Sequence, residues 1–225
     1  MADLMEGFLL VDKPIQKTSF YLVAVLRKIS GVKKVGHAGT LDPFATGLMI
    51  LLIGKNYTKL SNQFLNFDKQ YITTLHLGIT TDSYDVDGRV ISSSDLIPSL
   101  KEIEDKVALF QGEIDQIPPM FSAKKVDGKR LYELARQGKE IERKSVKVQI
   151  EVKIVSYQYP ELVLDIKCSK GTYIRSIGHD LGKLLGTGAH LKDLRRTRIG
   201  PYDASDAVTL SELTTQNITS YLRSL

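Results

Sequence analysis

The residues best placed to do chemistry lie in Val35-Gly36-His37-Ala38-Gly39-Thr40-Leu41-Asp42-Pro43-Phe44-Ala45-Thr46-Gly47, which gathers three glycines, a proline, one histidine and one acid. Asp42 is the sole acid between Asp12 and Asp68. Pro43 behind it biases its backbone toward an extended conformation. Glycine and proline at this density exclude a long helix or strand through the segment. The apolar run Leu48–Ile53 follows at once and reads as a buried strand. A stiff loop holding a single carboxylate over a core strand is a way to aim a reactive group. The same residues also fit a structural turn in which Asp42 bonds nearby amides.

Tyrosines and arginines form a second set. Tyr71 opens an alternating strand, Tyr173 and Arg175 stand where Cys168-Ser169-Lys170-Gly171-Thr172 turns into a helix, and Arg195, Arg196 and Arg198 punctuate a later strand. Aromatic rings with guanidinium groups suit an unstacked base and its phosphates. Taken singly, each also fits a core-edge tyrosine or an arginine lining solvent. A third set is basic: Lys124, Lys125, Lys129, Arg130, Arg136, Lys139, Arg143 and Lys144 crowd around Tyr132 and a short helix, Leu131–Gln137, in an excursion from the core at about 118–144.

Other chemistries lack their residues. Gly54-Lys55 has no upstream glycine for a nucleotide-phosphate loop, Gly186-Thr187-Gly188 lacks a third glycine at dinucleotide-binding spacing, and no Gly-x-Ser-x-Gly occurs. A paired-carboxylate hydrolase would need a second acid on a stiff element. Four histidines and one cysteine, with neither Cys-x-x-Cys nor His-Glu-x-x-His, leave little for a metal site, so none is expected. Cys168 has no partner for an internal disulfide, which points to a reducing, cytoplasmic compartment. No basic, apolar leader opens the chain, and Leu48–Ile53 is too short to span a bilayer, so no membrane is expected. The 225 residues, 42% hydrophobic, can bury a sizeable core, and a net charge of +5 suits a polyanionic partner.

The elements that must position these residues follow from periodicity. Gly7–Val11 reads as a buried strand ended by Asp12-Lys13-Pro14, and Thr18 or Ser19 caps a helix running to Ser30 with Gly31 as its stop. On that helix Tyr21, Leu22, Val25, Leu26 and Ile29 share a face. A helix is expected over Tyr57–Leu65 and an alternating strand over Lys69–Ile79. Thr80–Gly88, with Asp82, Asp85 and Asp87, reads as a surface loop. A helix carrying Leu100, Ile103, Val107 and Phe110 closes at Gly112. After the basic excursion come a hairpin of Val146–Ile154 with Leu162–Ile166, a helix with Ile174, Ile177, Leu181, Leu184 and Leu185 inward, and a basic strand at Leu191–Ile199. Thr209-Leu210-Ser211-Glu212 carries a helix-capping signal. No repeat or linker appears, and the order predicts an α+β fold, a mixed, mostly antiparallel sheet flanked by helices.

Several motifs occur together and in order: Asp12-Lys13-Pro14, Gly36-His37-Ala38-Gly39-Thr40-Leu41-Asp42-Pro43, Lys69-Gln70-Tyr71, Met120-Phe121-Ser122-Ala123, Arg130-Leu131-Tyr132-Glu133-Leu134-Ala135-Arg136, Cys168 through Arg175, and Gly188-Ala189-His190-Leu191 through Leu194-Arg195-Arg196-Thr197. From about Gly7 to Leu213 the chain closely resembles the TruB family, bacterial tRNA pseudouridine synthases acting on uridine 55 of the T-arm. The resemblance implies the pseudouridine synthase fold and an isomerisation that breaks the N1–C1′ bond, turns the base over and joins C5 to C1′. No redox change occurs, so no cofactor is implied.

By the same resemblance Asp42 is the essential aspartate, acting as nucleophile or as base on the sugar. Tyr71 stacks on the target base and assists proton removal at C5. Arg175 pairs with the aspartate, keeping it ionised in a dry pocket. Tyr173 and Leu194 line the pocket of the flipped base, and His37 takes the place that base vacates. Lys13 and Pro14, with the glycines Gly36 and Gly39, support the active-site loop. The basic excursion corresponds to the family's RNA-gripping insertion, with Lys124, Lys125, Lys129, Arg130 and Arg136 as backbone contacts. The implied partner is the T-arm of tRNA, met by a monomer. About 25 residues follow Ile199, too few for the small C-terminal PUA domain usual in bacterial members, so one catalytic domain over 1–225 is expected. Two other readings stay open. One is a T-arm RNA chaperone with secondary or no catalysis. The other is a guide-RNA-dependent relative, against which the large basic insertion speaks.

Overall fold

In a computed structural model, residues 5–225 are described except 123, 127 and 140. The chain opens with strand β1 (Gly7–Lys13), helix α1 (Ser19–Ser30), strands β2 (Val35–His37) and β3 (Thr46–Ile53), and short helices α2 (Lys55–Lys59) and α3 (Ser61–Leu65). Then come β4 (Lys69–Leu77), β5 (Ile79–Thr81), β6 (Val90–Ser93), α4 (Leu100–Val107), β7 (Gly112–Gln116), β8 (Lys125–Val126), β9 (Lys129–Arg130) and α5 (Leu131–Arg136). The last part holds β10 (Val146–Gln158), β11 (Glu161–Cys168), α6 (Ile174–Leu185), β12 (Ala189–Ile199), β13 (Tyr202–Asp203) and β14 (Val208–Thr209). This is the α+β arrangement read from the sequence, its strands joined mostly antiparallel.

Two compact units emerge: the residues up to Ile72 with Leu194–Leu225, and Thr73–Asp193. In the first unit β1 pairs antiparallel with β3 over its whole length, β3 pairs parallel with β12 at Arg195↔Thr46 and Arg196↔Gly47, and β14 lies parallel to β1. Both faces of β3 are buried from Gly47 to Ile53, which is why the run is apolar without alternation. Phe8, Leu10, Leu48, Ile50, Leu52, Phe64 and Ile199 form its core. The rings of Phe8 and Phe64 stand 5.2 Å apart, and those of Phe8 and Tyr202 5.3 Å. Thr18 caps α1 by accepting from Tyr21 N, and Gly31 ends it in the left-handed region. The buried stripe of α1 is turned slightly from the expected one. Val23 joins Leu22 and Leu26, while Tyr21 stays 42% exposed.

In the second unit β10 and β11 form the expected hairpin and β7 adds to the far side of β10. Along β4, which runs through both units, Lys69, Tyr71, Thr73, Leu75 and Leu77 are buried and the residues between are half-exposed, the alternation its sequence shows. Other expectations change too, and Leu184, expected inward on α6, is exposed. The helix expected over Tyr57–Leu65 is two short ones, because Leu60 leaves helical geometry at φ −84, ψ 4. The glycine-rich loop begins with a strand, since Val35–His37 pairs with Leu51–Ile53. At Thr209 the expected helix does not start: its N–H and hydroxyl both donate to the Glu212 carboxylate, and the residues directly after it form turns. Most consequentially, Thr80–Gly88 is not a surface loop throughout, because Thr80, Thr81, Ser83 and Asp85 are buried.

Candidate active site

Asp42 sits half-buried on the loop between β2 and β3, with Leu41, Phe44 and Ala45 buried around it. The loop's own backbone makes a turn, Ala45 N donating to Asp42 O at 3.1 Å. Most of what holds it comes from three other elements of the first unit. From the end of β1, the fully buried ammonium of Lys13 donates to the carbonyls of Pro14 (3.0 Å), Lys17 (2.6 Å) and Pro43 (3.1 Å). From the start of α1, Ser19 Oγ accepts from Leu41 N at 2.9 Å and donates to Leu41 O at 3.1 Å. From β12, Arg196 donates to Leu48 O (2.7 Å), Gly39 O (3.2 Å) and Thr40 O (3.5 Å), with only 1% of its surface exposed.

Two glycines make that close approach feasible. Gly39 has φ +100, and Gly47 has φ +103 with room for no side chain, since a Cβ there would lie 2.3 Å from Arg196 O. Gly36 stands opposite Leu52 in the short strand β2. Pro14 is exposed beside Lys13.

The electrostatics of this loop are cationic from behind. Burial lowers the Lys13 pKa to about 8; Asp42 opposes the shift and Arg196 adds to it. Burial also lowers the pKa of His37, with Arg196 contributing, so the imidazole stays neutral at pH 7. His37 Nδ1 is buried and has no hydrogen-bond partner among the described residues. Tyr71 and Leu194 are buried, 8% and 5% exposed, on β4 and β12. The two strands are neighbours here, Thr197 Oγ1 donating to Gln70 O at 3.2 Å. Leu194 directly precedes Arg195, the partner of Thr46 at the loop's exit. Lys13, Pro14, Gly36, His37, Gly39, Asp42, Tyr71 and Leu194 thus all belong to the first unit.

Tyr173 and Arg175 belong to the second unit. Tyr173 is half-buried at the start of α6, its backbone N–H and carbonyl both bonded to the side chain of Gln116 (2.8 and 3.0 Å). Arg175 is buried and forms an ion pair with Asp85 at 3.3 Å. It also donates to Ser83 O (3.1 Å) and Phe121 O (2.7 Å). Asp85 in turn accepts from Ser83 Oγ (2.5 Å) and Asp87 N (3.1 Å). The acidic loop turns inward because a buried guanidinium needs a carboxylate. In the insertion, β8 and β9 form a two-stranded hairpin leading into α5, and Lys124 is half-buried with its carbonyl accepting from Leu131 N at 2.9 Å. The side chains of Lys125, Lys129, Arg130 and Arg136 lie outside the described residues.

Ser19, Asp85 and Arg196 are the residues of this arrangement that sequence reasoning missed. By sequence, Thr18 or Ser19 is a helix cap, Asp85 a surface acid and Arg196 one arginine of a basic strand. Each acquires its partner from a distant part of the chain.

Residues 27–174 match the family model described as TruB family pseudouridylate synthase (N terminal domain), and residues 175–225 match the tRNA pseudouridylate synthase B C-terminal domain. The chain belongs to the TruB pseudouridylate synthase family. Among its TruB relatives, the tRNA pseudouridine synthase B of Protochlamydia amoebophila is 58% identical over 211 residues, 94% of this chain and 80% of the relative. That of Chlamydia felis is 55% identical, over 92% of this chain and 88% of the relative. In the crystal structure of a Cbf5-Nop10-Gar1 complex a chain superimposes with TM-score 0.72 at 29% identity, covering 92% of this chain. This chain spans 53% of that solved chain's length. No helix among the described residues is long and apolar enough to cross a membrane.

Proposed function

We propose that this protein is a tRNA pseudouridine synthase, an isomerase that converts uridine 55 in the T-loop to pseudouridine. The observation that carries the reading is a single carboxylate, Asp42, on a loop pinned by Lys13, Ser19 and Arg196, in a chain of the TruB family. The reaction balances without a further reactant. The N1–C1′ bond breaks, the freed base turns over, C5 bonds to C1′, and the proton lost at C5 is matched by one gained at N1.

Asp42 supplies the charge for bond cleavage, either by attacking carbon or by taking a proton from the sugar. Tyr71, by the motif Lys69-Gln70-Tyr71, stacks on the target base and takes part in proton removal at C5; Leu194 provides apolar wall. Tyr173 and Arg175 are assigned to the same reaction by the motif Cys168–Arg175. Turning a base out of the loop costs a few kcal/mol, and His37 filling the vacated place would offset part of it. The insertion around Lys124, Lys125, Lys129, Arg130 and Arg136 holds phosphates, a contribution independent of sequence and weakened by salt. The reading places a monomer in the cytoplasm, acting on the T-arm of tRNA.

A binding-only chaperone would use the same insertion and not need Asp42. Incubating the protein with an unmodified T-arm hairpin and mapping pseudouridine nucleotide by nucleotide separates the two. Conversion at the position of uridine 55 is expected, and none at any protein concentration would leave only binding.

A further inference from the structure

We propose that Ser19 and Arg196 are positioning residues of the reaction, holding the backbone between Gly39 and Leu48 so that the Asp42 carboxylate points at the nucleotide. The proposal rests on the functional reading above and adds two residues to it.

The loop that carries Asp42 lies outside the β2–β3 pairing. Leu41, next to Asp42, is held by Ser19 through both the N–H and the carbonyl (2.9 and 3.1 Å). The guanidinium of Arg196 reaches Gly39 O on the loop's entry side (3.2 Å) and Leu48 O past its exit (2.7 Å). One planar group therefore sets the span of the loop while one hydroxyl sets the residue before the carboxylate.

The choice of arginine makes sense only in those terms. Its hydrogen-bond partners among the described residues are carbonyls, and a fully buried cation is costly where an apolar side chain of similar size would pack. Lysine could not replace it without loss, since a single ammonium cannot span three carbonyls as a guanidinium fork does. A misplacement of about 1 Å at reacting atoms costs on the order of a hundredfold in rate, so a loosened tether should register in the chemical step while RNA binding, carried by the insertion, stays.

The test is single-turnover conversion of a T-arm hairpin, with the hairpin's Kd measured alongside, for Ser19→Ala, Arg196→Lys and Arg196→Met. We expect the rate to fall about tenfold in Ser19→Ala and Arg196→Lys and about a hundredfold in Arg196→Met, with Kd within about threefold of wild type. A packing role alone would make methionine as good as lysine or better. Equal rates for methionine and lysine, or losses confined to Kd, would overturn the proposal. If neither Arg196 variant folds, Ser19→Ala decides, and a wild-type rate there refutes the tether. A wild-type protein that converts no uridine refutes the functional reading itself, and the tether with it.

Discussion

Replacing Asp85 by asparagine tests whether the 81–88 segment is organised around Arg175. The change keeps shape and an acceptor for Ser83 Oγ and Asp87 N. It removes the charge facing Arg175 at 3.3 Å, where both side chains are under a tenth exposed (6% and 7%). Screening by solvent is therefore small, and the guanidinium keeps its bonds to the carbonyls of Ser83 and Phe121. Deleting one partner of a buried pair costs about 3–5 kcal/mol, and the retained local bonds put this variant near the lower end, about 3 kcal/mol. At roughly 2–4 °C per kcal/mol for a chain of this size, the melting temperature should fall by roughly 6–12 °C. Removing both charges, Asp85→Asn with Arg175→Met, should cost less than the sum of the single changes, because neither ion is then stranded. Thermal melts followed by circular dichroism read all four proteins. A single variant melting within about 2 °C of wild type, or strict additivity in the cycle, would refute the pairing as the reason the loop is buried.

Three further outcomes follow from named contacts. Gly47→Ala drives a methyl to within 2.3 Å of Arg196 O at a backbone φ of +103, so it should destabilise by more than about 2 kcal/mol, seen as a lower melting temperature or loss of soluble protein. His37 titrates below its ordinary value of 6.5 when folded, so the unfolded chain takes up its proton first; the stability due to neutral His37 is present above that value and is lost as pH falls below it. His37→Gln should accordingly shrink the drop in melting temperature between about pH 7.5 and about pH 5.5. Lys124→Gln combined with Lys125→Gln should weaken hairpin binding and flatten its logarithmic salt dependence by up to about 0.7–0.9 per lost phosphate contact, with the rate at saturation unchanged; an unaltered slope would remove these lysines from the interface.

Local patterns in the sequence were legible because they answer to neighbours a few residues away. The alternation of β4, the Thr18 cap and the Gly31 stop of α1 need nothing from elsewhere in the chain. The α+β class and the β10–β11 hairpin followed from the same short-range periodicity. Legibility ended where partners come from far along the chain. Asp85 looks like any loop acid until Arg175, ninety positions later, is placed beside it. Arg196 looks like part of a basic strand until its guanidinium turns under the Gly39–Leu48 loop. The reverse error occurs at Thr209, where a capping signal forms its bonds to Glu212 but the following residues do not continue a helix. At the candidate site, the motif and its glycines marked the Asp42 loop, and Lys13 does bond its Pro43 carbonyl. The hydroxyl and guanidinium that complete the clamp carry no signature of their own.

The proposed role of Asp42 is to break the N1–C1′ bond of the uridine, the step on which the other assigned residues depend. Its most direct test is single-turnover conversion of a T-arm hairpin by wild type and by Asp42→Asn, with the hairpin's Kd measured for each. Asparagine preserves shape and backbone geometry while removing the reactive charge, so pseudouridine formation should vanish with Kd unchanged. Conversion by Asp42→Asn at the wild-type rate would contradict the claim.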